Sequence, residues 1–188
     1  LGEEHPDYAI SLANLALFYN DQGNAKKTEP LYLEALSIFK KVLGEQHPNY
    51  ATSLNNLAMF YDEQGYALKA EPLFLEALSI RKKILGEQHP DYATSLDNLA
   101  GFYNGQGKVA KAEPLLLIAL SIRKKVLGEE HPDYANSLNN LAVHYFGQGN
   151  IQKAEPLYLE ALSIRKKILG ETHPDCALSL DNLAGFYN

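Results

Sequence analysis

Apolar side chains recur along this chain with the spacing of one helix face. Leu54, Leu57, Ala58 and Tyr61 lie at i, i+3, i+4 and i+7, and a second stripe of the same kind follows shortly afterwards. Each stripe predicts an amphipathic helix. About three residues separate the two helices, a connection that includes Gly65. Helices joined so closely pack antiparallel, so the pattern predicts a helical hairpin.

The hairpin pattern returns every 42 residues. A Leu-Gly-Glu-X-His-Pro segment begins at Leu1, Leu43, Leu85, Leu127 and Leu169, and the second and third units agree at 31 of 42 positions. A unit of this size cannot bury its apolar face alone, so neighbouring units must stack. We therefore expect an all-α, right-handed α–α superhelical solenoid, a single repeat domain over residues 1–188. Its units are 1–42, 43–84, 85–126, 127–168 and a half unit, 169–188.

The ends of the helices carry weaker signals. Pro48 suits a first helical position, but His47 is an unusual N-cap, so this start is predicted only to within a residue or two. Gly65 is predicted to end the first helix as a left-handed cap, and Gly86 to end the second. Pro72 lies inside the second helix, where it predicts a kink or a looser first turn.

The recurring spacing of small, aromatic and glycine residues within each unit resembles the tetratricopeptide signature. In the second unit this set is Leu54, Leu57, Ala58, Tyr61, Gly65, Ala70, Phe74 and Ala77. The 42-residue form, with Asn-Asn-Leu-Ala, Tyr-X-X-Gln-Gly and Ala-Glu-Pro-Leu, is similar to the cargo-binding domain of kinesin light chains. The resemblance implies first helices that line an inner groove and a scaffold that binds a protein or peptide as a cargo or adaptor domain.

Two other functions remain open for such a repeat region. It is compatible with a regulatory or sensory part of a larger NTPase or protease, and with a structural, self-assembling array. The last helix presents Leu180, Leu183, Ala184 and Tyr187 without a following partner helix in this sequence, so contacts between copies are a further expectation. The chain begins and ends inside a repeat, which suggests a piece of a longer protein.

An asparagine recurs in every first helix and is the main candidate for binding. We call this column, Asn14, Asn56, Asn98, Asn140 and Asn182, the asparagine ladder. A side-chain amide donates and accepts hydrogen bonds, and the resemblance implies that the ladder binds the backbone of an extended peptide. The alternative is that the amides bond within the solenoid. The neighbouring inner positions complete the candidate site: Asn55, Asp97, Asn139, Asp181, Met59, Gly101, Val143 and Phe146.

The charge of this inner surface is a second prediction. Kinesin light chains hold peptides with acidic residues through basic groove residues, whereas the inner first-helix positions named above contain no Lys or Arg. Arg81, Arg123 and Arg165 on the second helices are the remaining candidates. We interpret the Arg-Lys-Lys triplets as solvated helix ends, because consecutive residues face different directions. This argues against a preference for acidic peptides.

Composition excludes several other functions. The net charge of −6 disfavours nucleic acid and anionic membranes as partners, and the longest apolar run, residues 115–120, is too short to span a bilayer. Histidines one repeat apart cannot share a metal ion, because packed helices lie about 8–10 Å apart. No catalytic motif is present, so neither an enzyme nor a cofactor is expected. Cys176, the only cysteine, fits a packing role in a cytoplasmic protein.

Overall fold

A computed structural model gives residue 2 and residues 5–187, without the side chains of residues 175, 178, 181, 186 and 187. This part of the chain forms nine α-helices. They are α1 (Pro6–Asp21), α2 (Ala25–Leu43), α3 (Pro48–Glu63), α4 (Ala67–Leu85), α5 (Pro90–Gly105), α6 (Val109–Leu127), α7 (Pro132–Gly147), α8 (Ile151–Leu169) and α9 (Pro174–Tyr187). The predicted all-α class of paired helices is confirmed.

The chain divides into two compact units, one up to Gly86 and one from Glu87 onward. In the first unit, α1 packs on α2, α2 on α3, and α3 on α4. The second unit repeats this order from α5 to α9, and α5 also contacts α7. Within each unit, therefore, the second helix of one repeat packs against the first helix of the next.

Each first helix begins at a proline that follows a histidine. The His47 Nδ1 atom accepts a hydrogen bond of 3.1 Å from the backbone N–H of Asn49, which is an N-cap interaction. His5, His89 and His131 make the same bond at α1, α5 and α7. The unusual N-cap is therefore real, and these histidines fix the connections between repeats.

Glycine ends both helices of the hairpin, as predicted. Gly65 follows α3 with φ of 75°, and Gly86 follows α4 with φ of 86°. Both values lie in the left-handed region, which glycine enters without steric cost. Between these glycines α4 is continuous through Pro72, the sixth residue of the helix. The predicted kink at this proline stays a prediction.

Alanines and leucines fill the interior of each unit. In the first unit Ala9, Ala35, Ala51 and Ala77 are fully buried, and Leu54 is nearly so. Small side chains at these positions let crossing helices approach closely. The resulting core of the first unit lies between successive helices.

The same hydrogen bond joins α2 to α3 in the first unit and α6 to α7 in the second. The Tyr61 hydroxyl on α3 donates to Glu29 Oε1 on α2 at 2.7 Å, and Lys69 lies over the Tyr61 ring. Burial and this hydrogen bond raise the pKa of Tyr61 to about 12. Tyr145 donates to Glu113 at the same distance in the second unit. These contacts fix the order and register of the helices that carry the candidate site.

Candidate functional site

The asparagine ladder borders clefts in both units. Asn14 and Asn56 line two adjoining clefts of the first unit, and Asn98 and Asn140 line one cleft of the second. Asn182 lies on α9 and is half-buried. The structure thus brings four of the five predicted amides to the edges of concave surface.

The two clefts of the first unit lie between α1 and α3. The first, which we call the apolar cleft after its three apolar members Ile10, Ala13 and Phe39, has a volume of about 140 Å³. It is lined by Ile10, Ala13, Asn14, Phe39, Asn49, Thr52, Ser53 and Asn56. The second, of about 100 Å³, shares Ala13, Asn14 and Asn56 and adds Leu17, Asn20, Tyr32, Met59, Phe60 and Glu63. Asn14 and Asn56 therefore stand between two places where a partner side chain could lie.

The cleft of the second unit, which we call the polar cleft, is larger and chemically different. Its volume is about 370 Å³, and side chains from α5, α6, α7 and α8 line it. They are Thr94, Asp97, Asn98, Arg123, Asp133, Asn136, Asn139, Asn140 and Arg165. Carboxylates and guanidinium groups occur in equal number, so this surface offers hydrogen bonds without a strong excess of either charge.

Arg123 organises the polar cleft, and its placement corrects the interpretation of the arginines as solvated helix ends. Only 5% of Arg123 is exposed, and its guanidinium group donates to the Asp97 carboxylate, to Ser137 Oγ and to Thr94 Oγ1. A buried guanidinium is tolerated only with such partners. The interpretation holds for Lys124 and Lys125 but is wrong for the arginine before them.

The same correction applies to the equivalent arginines. Arg81 is buried and donates to Thr52 Oγ1 at 3.0 Å. Arg165 is buried and donates to Asn136 Oδ1 at 2.7 Å and to Ser179. Each arginine lies on a second helix and donates to a residue on the first helix of the same repeat. Arg123 and Arg165 also line the polar cleft. Their position at the start of a basic triplet concealed this role.

Two ladder asparagines also bond within the second unit. Asn140 donates a side-chain hydrogen bond to Asp97, and the Asn182 amide donates to Asn139 Oδ1 at 2.9 Å. In both cases the acceptor lies beside the ladder position of the preceding repeat. The ladder therefore has a structural role here, which is compatible with peptide binding through the remaining donor and acceptor positions of each amide.

Asp97 is the acidic centre of this network. Burial raises the pKa of the Asp97 carboxyl above its ordinary value, although the adjacent Arg123 and the Asn140 amide favour the ionised form. Its Oδ1 atom is buried without a hydrogen-bond partner in the described part of the chain. Asn55 and Asn139 occupy the equivalent position in the flanking repeats, so a neutral side chain serves there too.

The remaining predicted residues lie at varied depths. Met59, Gly101 and Val143 are exposed, Phe146 is half-buried, and Asn55 is buried with its amide 3.5 Å from the Met59 sulfur. The side chain of Asp181 lies outside the described residues. The binding role of all these residues stays a prediction.

His144 is a polar residue where the other four repeats have Phe18, Phe60, Phe102 and Phe186. It is 3% exposed, with Nδ1 2.7 Å from Asn104 Oδ1 and Nε2 2.6 Å from the Gln148 side-chain nitrogen. An oxygen acceptor at Nδ1 and an amide donor at Nε2 select the neutral ring, protonated at Nδ1. Burial lowers the pKa of His144, an effect that Lys153 increases and Glu113 opposes.

This environment predicts a pH-dependent stability. Because the folded state has the lower pKa, the unfolded state takes up the proton first, and the free energy of unfolding decreases as pH falls through about 6.5. His144→Phe introduces the phenylalanine that the other repeats have at this position. It is expected to make this decrease smaller. Urea titrations of both proteins at pH 8 and near pH 5 measure the effect. Equal pH dependence in the two proteins would contradict it.

The described residues offer neither a metal site nor a membrane span. No group of three or more His, Cys, Asp and Glu side chains among them is placed to hold a metal ion. No helix in the same part of the chain is long and apolar enough to cross a membrane.

Known proteins agree with this architecture. The family model of the tetratricopeptide repeat matches residues 7–83, 55–101, 96–167 and 138–187. A kinesin-light-chain-like protein of Podospora anserina with nearly identical TPR-like repeats is 31% identical, with a TM-score of 0.77 over 97% of this chain and 87% of that chain. A variant of that protein gives 31% identity, a TM-score of 0.78 and coverage of 97% and 86%.

A bacterial structure is similar to the same degree. BtubC (BKLC) from P. vanneervenii is 31% identical, with a TM-score of 0.74 over 88% of this chain and 66% of that chain. The chain therefore spans about two thirds of the BtubC structure. Among curated proteins, none matches. Matching repeats along most of the chain, on paired helices of the same arrangement, show that this protein belongs to the tetratricopeptide repeat family of protein-interaction scaffolds and resembles its kinesin-light-chain-like members.

Proposed function

We propose that this chain binds an extended peptide segment of a partner protein along the first-helix face, as a cargo or adaptor domain of the kinesin-light-chain type. The observation that carries the proposal is the position of the ladder asparagines at the edges of clefts in both units. An amide at the edge of a cleft can pair with a peptide group while the adjoining cleft receives a side chain. In this assignment the protein acts in the cytoplasm, which fits its single buried cysteine.

The polar cleft supports binding without a preference for acidic residues. Arg123 already donates to Asp97, and Asp133 lies at the same cleft. An added carboxylate would meet both signs of charge there, so peptide backbone and uncharged polar groups are the better ligands. The prediction that the inner first-helix positions do not favour acidic peptides therefore applies to the second-helix arginines as well.

The asparagines of the first unit provide the test. Short linear peptides are selected from a displayed random library against the intact chain, and their affinities are measured by fluorescence anisotropy. The Asn14→Ala/Asn56→Ala variant is expected to bind the selected peptides roughly 5–150-fold more weakly, because each lost hydrogen bond contributes about 0.5–1.5 kcal/mol.

A matched variant controls for general effects of the substitutions. Ser37 and Ser79 are exposed on the second helices, away from the clefts, so Ser37→Ala/Ser79→Ala is expected to leave the affinity unchanged. Equal affinity of the asparagine variant and the original chain would show that the ladder has a structural role only. Equal losses in both variants would mean that the selected peptides bind elsewhere.

A further inference from the structure

Three positions, two on the first helix and one on the second, are polar in the second, third and fourth repeats. All three are apolar in the first repeat. In the third repeat they are Thr94, Asp97 and Arg123, which form one hydrogen-bonded group. The other polar sets are Thr52, Asn55 and Arg81 in the second repeat and Asn136, Asn139 and Arg165 in the fourth. The first repeat has Ile10, Ala13 and Phe39 at these positions. A single such replacement would leave a buried polar group unpaired, so the three residues act as a set.

This replacement gives the first unit an apolar floor where the other repeats hold an arginine. Phe39 is buried in the core and borders the apolar cleft, and Ile10 beside it remains 43% exposed. Five of the eight described residues that line this cleft are polar, but none of the eight carries a charge. The cleft volume of about 140 Å³ is close to the roughly 150 Å³ of an engineered protein cavity that binds benzene. It therefore matches one apolar side chain of moderate size.

We propose that the apolar cleft binds one aliphatic or small aromatic side chain of an uncharged, extended peptide segment. The inference rests on the proposed function, because Asn14 and Asn56 at the edge of the cleft are the groups that pair with the peptide backbone. A charged side chain would lose its hydration there without finding an opposite charge. The apolar residue thus sets the position of the partner on the first unit.

The test uses a variant that imports the polar set of the second repeat. Ile10→Thr/Ala13→Asn/Phe39→Arg places Thr, Asn and Arg where Thr52, Asn55 and Arg81 already coexist in a folded repeat. Library-selected peptides are expected to share one aliphatic or aromatic position. Replacing that residue by Asp is expected to weaken binding to the original chain by about 10–100-fold. The same replacement should have little effect on binding to the variant.

Two further proteins keep the result interpretable. The single variant Ile10→Thr, a smaller change at the exposed edge of the cleft, serves if thermal melting shows that the triple variant does not fold. Leu33→Thr makes a similar exchange at an exposed apolar position of α2 that lines neither cleft of the first unit. It is expected to keep the dependence on the apolar peptide residue, because the apolar cleft is intact.

The outcomes separate this inference from the proposed function. Peptides that depend on Asn14 and Asn56 but bind the original chain and the triple variant equally would overturn the inference alone. Selected peptides rich in acidic residues, with no shared apolar position, would also overturn it. If the library yields no peptide that depends on the asparagines, both proposals fail.

Discussion

Arg123→Ala is expected to lower the free energy of unfolding by about 3–5 kcal/mol, the usual effect of removing one member of a buried ion pair. The loss leaves the Asp97 carboxylate buried beside Thr94 and Ser137 without the guanidinium that donates to all three. Urea denaturation followed by circular dichroism measures the change. Asp97→Asn is expected to have a much smaller effect, because Asn55 and Asn139 accompany arginine in the flanking repeats.

Replacement of the whole set supplies the control for this result. Thr94→Ile/Asp97→Ala/Arg123→Phe imports the combination that the first repeat carries, and buried ion networks are often replaced by apolar residues without loss of stability. We expect the triple variant to be more stable than Arg123→Ala alone, despite two additional substitutions. A stable Arg123→Ala protein, or a triple variant that loses more stability than the single one, would contradict the described network.

Leu138→Ala is expected to lower the free energy of unfolding by about 2–5 kcal/mol. Leu138 is 1% exposed and packs in a cluster with Tyr134, Ala135 and Ala161, so its removal leaves a cavity between α7 and α8. Leu159, which is 47% exposed on α8, provides a matched leucine in the same unit.

The comparison depends on burial alone, because both leucines lie within helices. Leu159→Ala is expected to change the free energy of unfolding by no more than about 0.5 kcal/mol. Urea denaturation of the two variants under one set of conditions gives the difference. Similar losses for both leucines would contradict the described packing of α7 and α8.

The helices and their turns could be predicted because their signals are local. The 3.6-residue stripe around Leu54 and Leu57 defines a helix face, and Gly65 and Gly86 supply the left-handed caps between helices. Even the histidine N-caps depend only on a contact two residues away, such as that between His47 and Asn49. Because these signals repeat at a fixed spacing, the tetratricopeptide fold could be predicted from the sequence.

The arginines could not be placed from local pattern because their partners are distant in sequence. Arg123 bonds to Thr94, which lies 29 residues earlier, and to Ser137, which lies 14 residues later in the next repeat. Within a single repeat, Arg123 resembles the first residue of a basic helix end, because Lys124 and Lys125 follow it. The signal that reveals it is the joint change to Ile10, Ala13 and Phe39 in the first repeat.

The asparagine ladder was found from its regularity, but its internal partners were not. Each observed bond joins a ladder amide to the position beside the ladder in the preceding repeat, as from Asn182 to Asn139. This pairing depends on how successive helices are rotated against each other, which periodicity does not specify. The regular spacing therefore identifies the asparagines as candidates. It does not indicate whether they stabilise the fold, bind a partner or do both.

The side-chain amide resonances of Asn14 and Asn56 test the central claim most directly. In a nitrogen-15 labelled chain titrated with a selected peptide, these resonances are expected to shift in proportion to the fraction of chain bound. The backbone resonances of Leu33 and Leu75, exposed on the second helices, are expected to stay unchanged. Shifts confined to the second helices, with the Asn14 and Asn56 amides unaffected at saturation, would contradict binding along the first-helix face.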